Sequence, residues 1–368
     1  MQIKAAVLWE PRTRVEILDV ELAPPKAREV LVRIAACGVC ASDLHVVDGE
    51  LPEPLPIVLG HEASGVVAAT GAGVERLREG DHVVLALAPS CGECTSCRHG
   101  RPTFCELFGQ CASDGVLADG TSRLSVDGTT LHHFNSVSSF AEYAVVPESA
   151  AVPVRHDVPL DAAALVGCAV LTGFGAVANT AGVEEGATVA VWGCGGVGLN
   201  VVQASRLAGA GRIVAVDTRA EKLELARRLG ATDVVRAGGG PDASLAVHEL
   251  VPGGVDYAFE AIGREEAINE AWAAVRPGGT VVVLGLMPKG SRLTIDPWGF
   301  INEKTLKGCF LGSAQLERDV PRLVDLVHGG ELELEGLVSR RLRLEELPQA
   351  FARLRAGDVV RQLVVFDR

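Results

Sequence analysis

Four cysteines stand in one short stretch, Cys91-x2-Cys94-x2-Cys97-x7-Cys105, with Gly92 and Gly100 among them. Thiolates so closely spaced can close a tetrahedral zinc shell with no open position, which predicts a structural ion. The alternative is a set of buried or disulfide-linked thiols, but such packed spacing is more readily explained by one metal. A second set is dispersed: Cys40 in Cys-Gly-Val-Cys-Ala-Ser-Asp-Leu-His, His61 in Gly-His-Glu, and Cys168 in Val-Gly-Cys. Two thiolates and one imidazole are the ligand set of an open catalytic zinc, whose fourth position is left to water or substrate. Spacing alone does not bring these three together. Taken singly, His61 also suits a satisfied core histidine and Cys168 a small buried apolar residue. Cys37 and Cys40 form a C-x-x-C that could be a redox pair, although no thioredoxin-like βαβ unit surrounds it.

A third signal lies in residues 188–217. An apolar run, Val189 to Trp192, leads into a turn in which Gly193, Gly195 and Gly198 make G-x-G-x-x-G, with Gly196 and Val197 inside it. Val197, Val201, Ser205 and Ala208 then share one helix face, and Ile213 to Asp217 reads as the next strand. This is the pattern of a dinucleotide cradle, in which glycines allow a tight turn and close approach of backbone to a pyrophosphate at a helix N-terminus. Asp217 stands where a carboxylate can accept from ribose hydroxyls and repel a 2′-phosphate, which favours NAD over NADP. Arg219 could pair with such a phosphate, but a solvated arginine opening the next helix is the simpler reading.

The elements that must position these groups fall into two kinds. Residues 1–169 show short β-rich segments, Lys4 to Trp9, Val15 to Val20 and Glu29 to Ala35, punctuated by Gly, Pro and Asp through Gly65, Gly71, Gly73, Gly80 and Asp81. From 170 to 311 strands and helices alternate. After Asp217 come a helix from Glu221 to Leu229, a strand near Val234, another at Val255 to Glu260, and a helix to Val275. A Pro277-Gly278-Gly279 turn, a strand at Thr280 to Leu284 and a last one near Thr305 to Phe310 complete the series. Such alternation predicts a doubly wound parallel sheet. The tail, 312–368, carries helical patterns at Val320 to Val327 and Leu344 to Leu354, then Arg361 before an apolar strand.

The chain has 368 residues, 48% of them apolar and 22% charged, which suits a two-domain globular enzyme. Lys and Arg total 34 against 47 Asp and Glu, a formal charge of −13. Nucleic acid and anionic membranes are poor partners for that balance. The N-terminus lacks an extended apolar region with a cleavage site, and no uncharged apolar run reaches about 18 residues, so the expectation is a cytoplasmic protein. Ten cysteines in such a chain point to metal or catalysis rather than a disulfide scaffold.

Taken together, Gly-Val-Cys-x-Ser-Asp-x-His, Gly-His-Glu, the four-cysteine lobe, Val-Gly-Cys-x-x-x-Thr-Gly, Gly-x-Gly-Gly-Val-Gly and Val-Asp resemble, in order and across essentially the whole chain, the zinc-dependent medium-chain alcohol dehydrogenases. The resemblance implies an α/β chain with a β-rich, GroES-like catalytic domain at 1–169 and 312–368 and a Rossmann NAD-binding domain at 170–311. It implies two zinc ions per chain: Cys40, His61 and Cys168 around the catalytic one, and Cys91, Cys94, Cys97 and Cys105 around the structural one. Asp43 would orient His61, and Glu62 would sit just behind the metal. Ser42 and His45 match the family's proton relay. Lys222 would reach the ribose, Arg361 the pyrophosphate, and Thr172, Ile262, Leu284, Leu286 and Phe310 would border the nicotinamide. Leu87, Gln110, Phe134 and Leu286 would line the substrate pocket.

The implied activity is reversible oxidation of primary alcohols, medium-chain or aromatic, to aldehydes by hydride transfer to NAD, with zinc as the Lewis acid. Residues 106–140 resemble the long loop of the dimeric animal-type and thiol-dependent formaldehyde-oxidising (class III-like) branches, which implies a homodimer, with a tetramer as the alternative. Two rival enzymes remain: a glutathione- or mycothiol-dependent formaldehyde dehydrogenase, against which residues 106–122 offer no arginine, and a nicotinoprotein alcohol dehydrogenase that retains NAD. A zinc-stabilised binding module would account for the four-cysteine lobe but not for Ser42, His45, Cys168 and the glycine turn. One departure from the family pattern is Ala41, where an arginine or histidine often stands near the pyrophosphate.

Overall fold

The computed structural model describes residues 1–238 and 242–366. They form two compact units, Met1–Cys168 with Gln315–Arg368, and Ala169–Ala314.

In the first unit, β1 (Gln2–Leu8), β2 (Glu16–Leu22), β4 (Ile57–Val58), β7 (Leu124–Val126) and β8 (Thr129–His133) close a barrel in the order β1-β2-β7-β8-β4. A second sheet runs β10-β6-β5-β3-β18-β17, built from β3 (Glu29–Gly38), β5 (Glu62–Thr70), β6 (His82–Ala86), β10 (Ala151–Pro153), β17 (Val338–Leu342) and β18 (Arg361–Val365), with β9 (Tyr143–Pro147) also on β3. The β3 strand shows why: Val30, Val32 and Ile34 alternate inward, and pack with Leu85, Phe140, Leu347 and Phe351 in the main core. The C-terminal tail therefore returns to this unit by strand pairing, Leu363 opposite Gly38 and Val364 opposite Cys37.

Residues 106–140 are not one long loop. Glu106–Asp114 is a helix, and β7 and β8 form a hairpin that pairs with β2 and runs parallel to β4. The physical reason is burial of alternate apolar residues: Leu124 and Leu131 face the barrel core with Ile3, Val20 and Val58. The hairpin is anchored by Arg123, 2% exposed, whose guanidinium pairs with Glu29 at the start of β3 and with Asp119 at 3.1 Å.

In the second unit, β11 (Thr188–Trp192), β12 (Arg212–Asp217), β13 (Asp233–Arg236), β14 (Val255–Glu260), β15 (Val275–Val283) and β16 (Thr305–Gly308) form a wholly parallel sheet in the order β13-β12-β11-β14-β15-β16. The Pro277-Gly278-Gly279 segment does not end an element before Thr280. It lies within β15 as a register irregularity, since Val275 pairs with Val255 and Thr280 with Tyr257. The final strand stops at Gly308, two residues short of Phe310. Strand order reverses between β11 and β14, which opens the sheet at the carboxyl end of β11, where doubly wound folds bind ligands.

Among the described residues no single helix is long and apolar enough to cross a membrane.

Candidate active site

Cys40 closes the turn after β3 and opens the helix Ala41–Val47, His61 lies between β4 and β5, and Cys168 ends the first unit. The three are 6%, 1% and 7% exposed, and their ligand atoms lie within 4.8 Å of one another. One buried carboxylate ties the first two together. Asp43 accepts from the Cys40 amide at 3.1 Å and the Gly60 amide at 3.0 Å, and its Oδ1 stands 3.2 Å from His61 Nδ1. With Nδ1 given to Asp43, Nε2 is the nitrogen that carries a lone pair, and it is buried without a hydrogen-bond partner. An orphaned imidazole nitrogen beside two buried thiols fits a cation with three protein ligands and an open position.

The two thiols are electrostatically linked. A hydrogen bond from Cys168 lowers the Cys40 thiol well below its ordinary value against the cost of burial, with the Arg361 guanidinium helping. Cys168 is raised in turn by that bond and by burial. Phe134, fully buried, meets the His61 ring edge to face at 5.3 Å. It is held by a tight segment in which Asn135, Ser136 and Ser138 all take positive φ, while Ser138 Oγ accepts from the Phe134 amide and donates to the Val58 carbonyl.

Behind the cluster, Glu62 is fully buried at the start of β5, and Gly38 leaves it room, because a Cβ there would collide with the carboxylate. Arg361 is 5% exposed; its Nη1 lies 3.5 Å from Glu62 Oε2 and donates to the Val39 carbonyl at 3.4 Å. Ser42 Oγ lies 3.7 Å from Cys40 Sγ, and His45 Nδ1 lies 2.6 Å from Glu50 Oε2. Cys37 is not joined to Cys40: its thiol meets Ser139 Oγ at 3.1 Å, and all ten cysteines are free.

The second metal set forms a compact lobe. Cys91, Cys94, Cys97 and Cys105 bring their sulfurs within 4.8 Å of one another. The Cys91 amide donates to Cys105 Sγ at 3.3 Å, those of Glu93 and Cys94 to Cys91 Sγ at 3.4 Å, and that of Glu106 to Cys94 Sγ at 3.5 Å. Amides aimed at sulfur favour thiolate, and Cys94 is accordingly lowered to about 6 by the backbone amides of Cys97 and Glu106. Four thiols so arranged fit a closed tetrahedral shell.

In the second unit Gly193 takes φ +92, a conformation that favours glycine, and a Cβ at Gly198 would strike the Gly193 carbonyl. The helix Gly196–Leu207 starts at this turn. Asp217 ends β12 and accepts from the amides of Cys194 at 2.7 Å and Arg219 at 2.9 Å. Arg219 caps the helix Ala220–Leu229, on whose first turn Lys222 lies, close enough to act electrostatically on Cys194. Ile262, Leu286 and Phe310 leave 44%, 46% and 42% of their surfaces exposed; Leu284 is half-buried and Thr172 buried.

These geometries have counterparts in known proteins. Residues 26–156 match the alcohol dehydrogenase GroES-like domain and residues 196–329 the zinc-binding dehydrogenase model. An alcohol dehydrogenase zinc-binding domain protein from Burkholderia ambifaria is 36% identical over 100% of both chains, with a TM-score of 0.95. The chain belongs to the zinc-dependent medium-chain alcohol dehydrogenase family. Benzyl alcohol dehydrogenase from Acinetobacter calcoaceticus is 34% identical over 100% of both chains, TM-score 0.94, and a zinc-binding dehydrogenase from Sinorhizobium meliloti 1021, bound to NADP, is 30% identical over 100% of both, TM-score 0.81. This family member is thus an oxidoreductase of the zinc and nicotinamide class, with a GroES-like unit and a Rossmann-like unit.

Two positions of this dehydrogenase that were expected to line the substrate pocket differ in exposure. Gln110 is exposed on the helix Glu106–Asp114, where its amide donates to Asp114 at 2.9 Å, because the helical turn puts i and i+4 on one solvent-facing side. Leu87, by contrast, is buried just after β6. Sequence reasoning passed over Glu260. Its Oε1 accepts from the amides of Ile262 at 2.8 Å and Gly263 at 2.6 Å, and its carbonyl from Leu284 at 2.7 Å and Gly285 at 3.1 Å. One fully buried residue therefore ties together the two segments that carry Ile262 and Leu286. The available signal was a carboxylate at the buried end of a parallel strand.

Proposed function

We propose that this protein is an NAD-dependent alcohol dehydrogenase that oxidises primary alcohols, medium-chain or aromatic, reversibly to aldehydes. The observation that carries the reading is the buried trio Cys40, His61 and Cys168 with His61 Nε2 left without a partner. These three would hold a catalytic zinc, and Cys91, Cys94, Cys97 and Cys105 a structural one. When bound, zinc supplies Lewis-acid polarisation of the substrate oxygen and the nicotinamide supplies the hydride acceptor.

The chain's own groups do the rest. Asp43 holds the His61 ring in one tautomer and orientation. Ser42 Oγ, beside Cys40, takes the proton of the substrate hydroxyl, and His45, three residues further along the same helix, is the group that receives it at the surface once the ribose hydroxyl of the bound cofactor bridges them. Phe134 and Leu87 keep water from the reacting oxygen by their burial. The turn at Gly193 to Gly198 would hold the pyrophosphate at the start of the helix Gly196–Leu207, and the apolar surfaces of Ile262, Leu286 and Phe310 suit the nicotinamide half. Asp217, its carboxylate set at the end of β12 by two amides, supports NAD over NADP, since a 2′-phosphate there would meet a fixed negative charge. The likeness to a benzyl alcohol dehydrogenase favours aromatic alcohols among the substrates.

A homodimer is supported by the apolar surface of Trp298, Phe300 and Ile301, which are 68%, 51% and 73% exposed next to the edge strand β16. Ten free thiols support a reducing, cytoplasmic compartment. The test is an NAD-linked activity screen over primary, secondary and aromatic alcohols, with Cys40→Ala and Ser42→Ala as controls and with formaldehyde assayed in the presence and absence of glutathione and mycothiol. Turnover of benzyl or medium-chain primary alcohols without a thiol is the expected result. Strict thiol dependence would overturn it.

A further inference from the structure

The helix Ala41–Val47 ends at Asp48, and the chain then folds back on His45. The amides of Glu50 and Leu51 both donate to the His45 carbonyl, at 2.8 and 3.0 Å, and this turn sets Glu50 Oε2 at 2.6 Å from His45 Nδ1. The carboxylate is therefore placed by backbone as well as by its own rotamer. The two side chains are 23% and 41% exposed, so the pair stands at the boundary between protein and solvent. The charged groups nearby have other partners: Asp48 pairs with Arg355 of the helix Leu347–Ala356, Arg12 Nε donates to the Asp48 carbonyl, and Asp43, fully buried, is turned to His61. Arg355 lies within electrostatic reach of Glu50 but is bonded to Asp48.

We propose that Glu50 is a positioning residue for His45, completing a carboxylate–imidazole pair at the outer end of the proton path. The inference rests on the reading of Ser42 and His45 as that path. Glu50 accepts from Nδ1–H, which commits the imidazole to the tautomer whose Nε2 carries the lone pair. The proton released by the substrate hydroxyl passes through Ser42 and the bridging ribose hydroxyl to His45 Nε2, the resulting imidazolium is stabilised by the adjacent carboxylate, and Nε2 then gives the proton to water. No covalent bond is made to Glu50 at any step.

The experiment compares wild type with Glu50→Gln, Glu50→Ala and His45→Gln, each checked for zinc content and circular dichroism. The kcat/KM for alcohol oxidation is measured at one fixed pH together with the tautomer of the His45 ring, read from the nitrogen shifts of histidine-labelled protein. In Glu50→Ala the ring is expected to lose its preference for the Nδ1–H tautomer and kcat/KM to fall about tenfold, while Glu50→Gln, whose amide oxygen still accepts from Nδ1, keeps the tautomer. KM for NAD should stay within twofold. If tautomer and kcat/KM in Glu50→Ala stay where wild type puts them, Glu50 does not act on His45 and the proposal is overturned. If His45→Gln itself leaves the kcat/KM of wild type intact, the proton path is misassigned, and the proposal fails with it for that separate reason.

Discussion

Arg361 and Glu62 form a buried pair, 3.5 Å apart, directly behind the cluster of Cys40, His61 and Cys168. The sequence resemblance points Arg361 toward a pyrophosphate, yet its guanidinium here is 5% exposed and also serves the Val39 carbonyl. Removing one partner of such a pair leaves the other charge in a low-dielectric interior. Arg361→Met is therefore expected to lower stability by about 3–5 kcal/mol, read as the midpoint and slope of urea unfolding. Glu62→Gln with Arg361→Met in one chain should recover part of that loss, which a double-mutant cycle measures.

Asp43 acts on the metal site through His61 rather than as a ligand. Asp43→Asn keeps the volume but puts a neutral amide where three donors converge: two amides and the His61 ring. Zinc affinity at the Cys40 site should fall roughly 10–100-fold, measured by competition with a chromogenic chelator. The four-cysteine lobe should be unaffected in the same titration.

The lobe supplies an independent check of stoichiometry. Cys97 is half-buried in a cluster closed by Cys105, Phe108 and Cys111, with backbone amides aimed at the neighbouring sulfurs. Cys97→Ser should reduce bound zinc from two ions per chain to one in elemental analysis, and should lower the thermal midpoint because a structural zinc contributes folding energy directly.

His133 makes stability depend on pH. Its Nε2 accepts from the Arg123 amide at 3.1 Å, and burial, with the charge of Arg123, pushes its pKa from 6.5 down to about 3. The unfolded chain thus takes up a proton that the folded chain refuses. The contribution is complete above pH 6.5 and is lost as pH falls toward 3, at a slope approaching 1.4 kcal/mol per pH unit, roughly. Urea unfolding between pH 7 and 4 should show this component, and His133→Gln, which keeps an acceptor but does not titrate, should remove it.

Glu260 joins the segments that carry Ile262 and Leu286. Glu260→Leu leaves the part-buried amides of Ile262 and Gly263 without their acceptor, so NAD binding should weaken by about tenfold, measured by fluorescence titration. Glu260→Gln, which retains the acceptor oxygen, should stay within about threefold.

Local chemistry was legible in the amino-acid order. The four cysteines between 91 and 105 and the glycine turn from 193 to 198 depend on neighbours only a few residues away, hydrophobic alternation marks β3 because side-chain direction repeats with the backbone itself, and continuous apolar runs mark the buried strands β11 and β12. The residue types at positions 40, 61 and 168 set the chemistry they can perform. Their convergence was decided by tertiary structure, since it depends on β3 pairing with β5, on β5 pairing with β6, and on Asp43 joining two loops. The same holds for Arg361 behind Glu62, for Glu260 between two loops, and for Gln110, which a helix turns to solvent. Charge placement, burial and partner choice are properties of a packed interior, where contacts come from residues far apart in the chain, and no spacing along a single strand or helix encodes them.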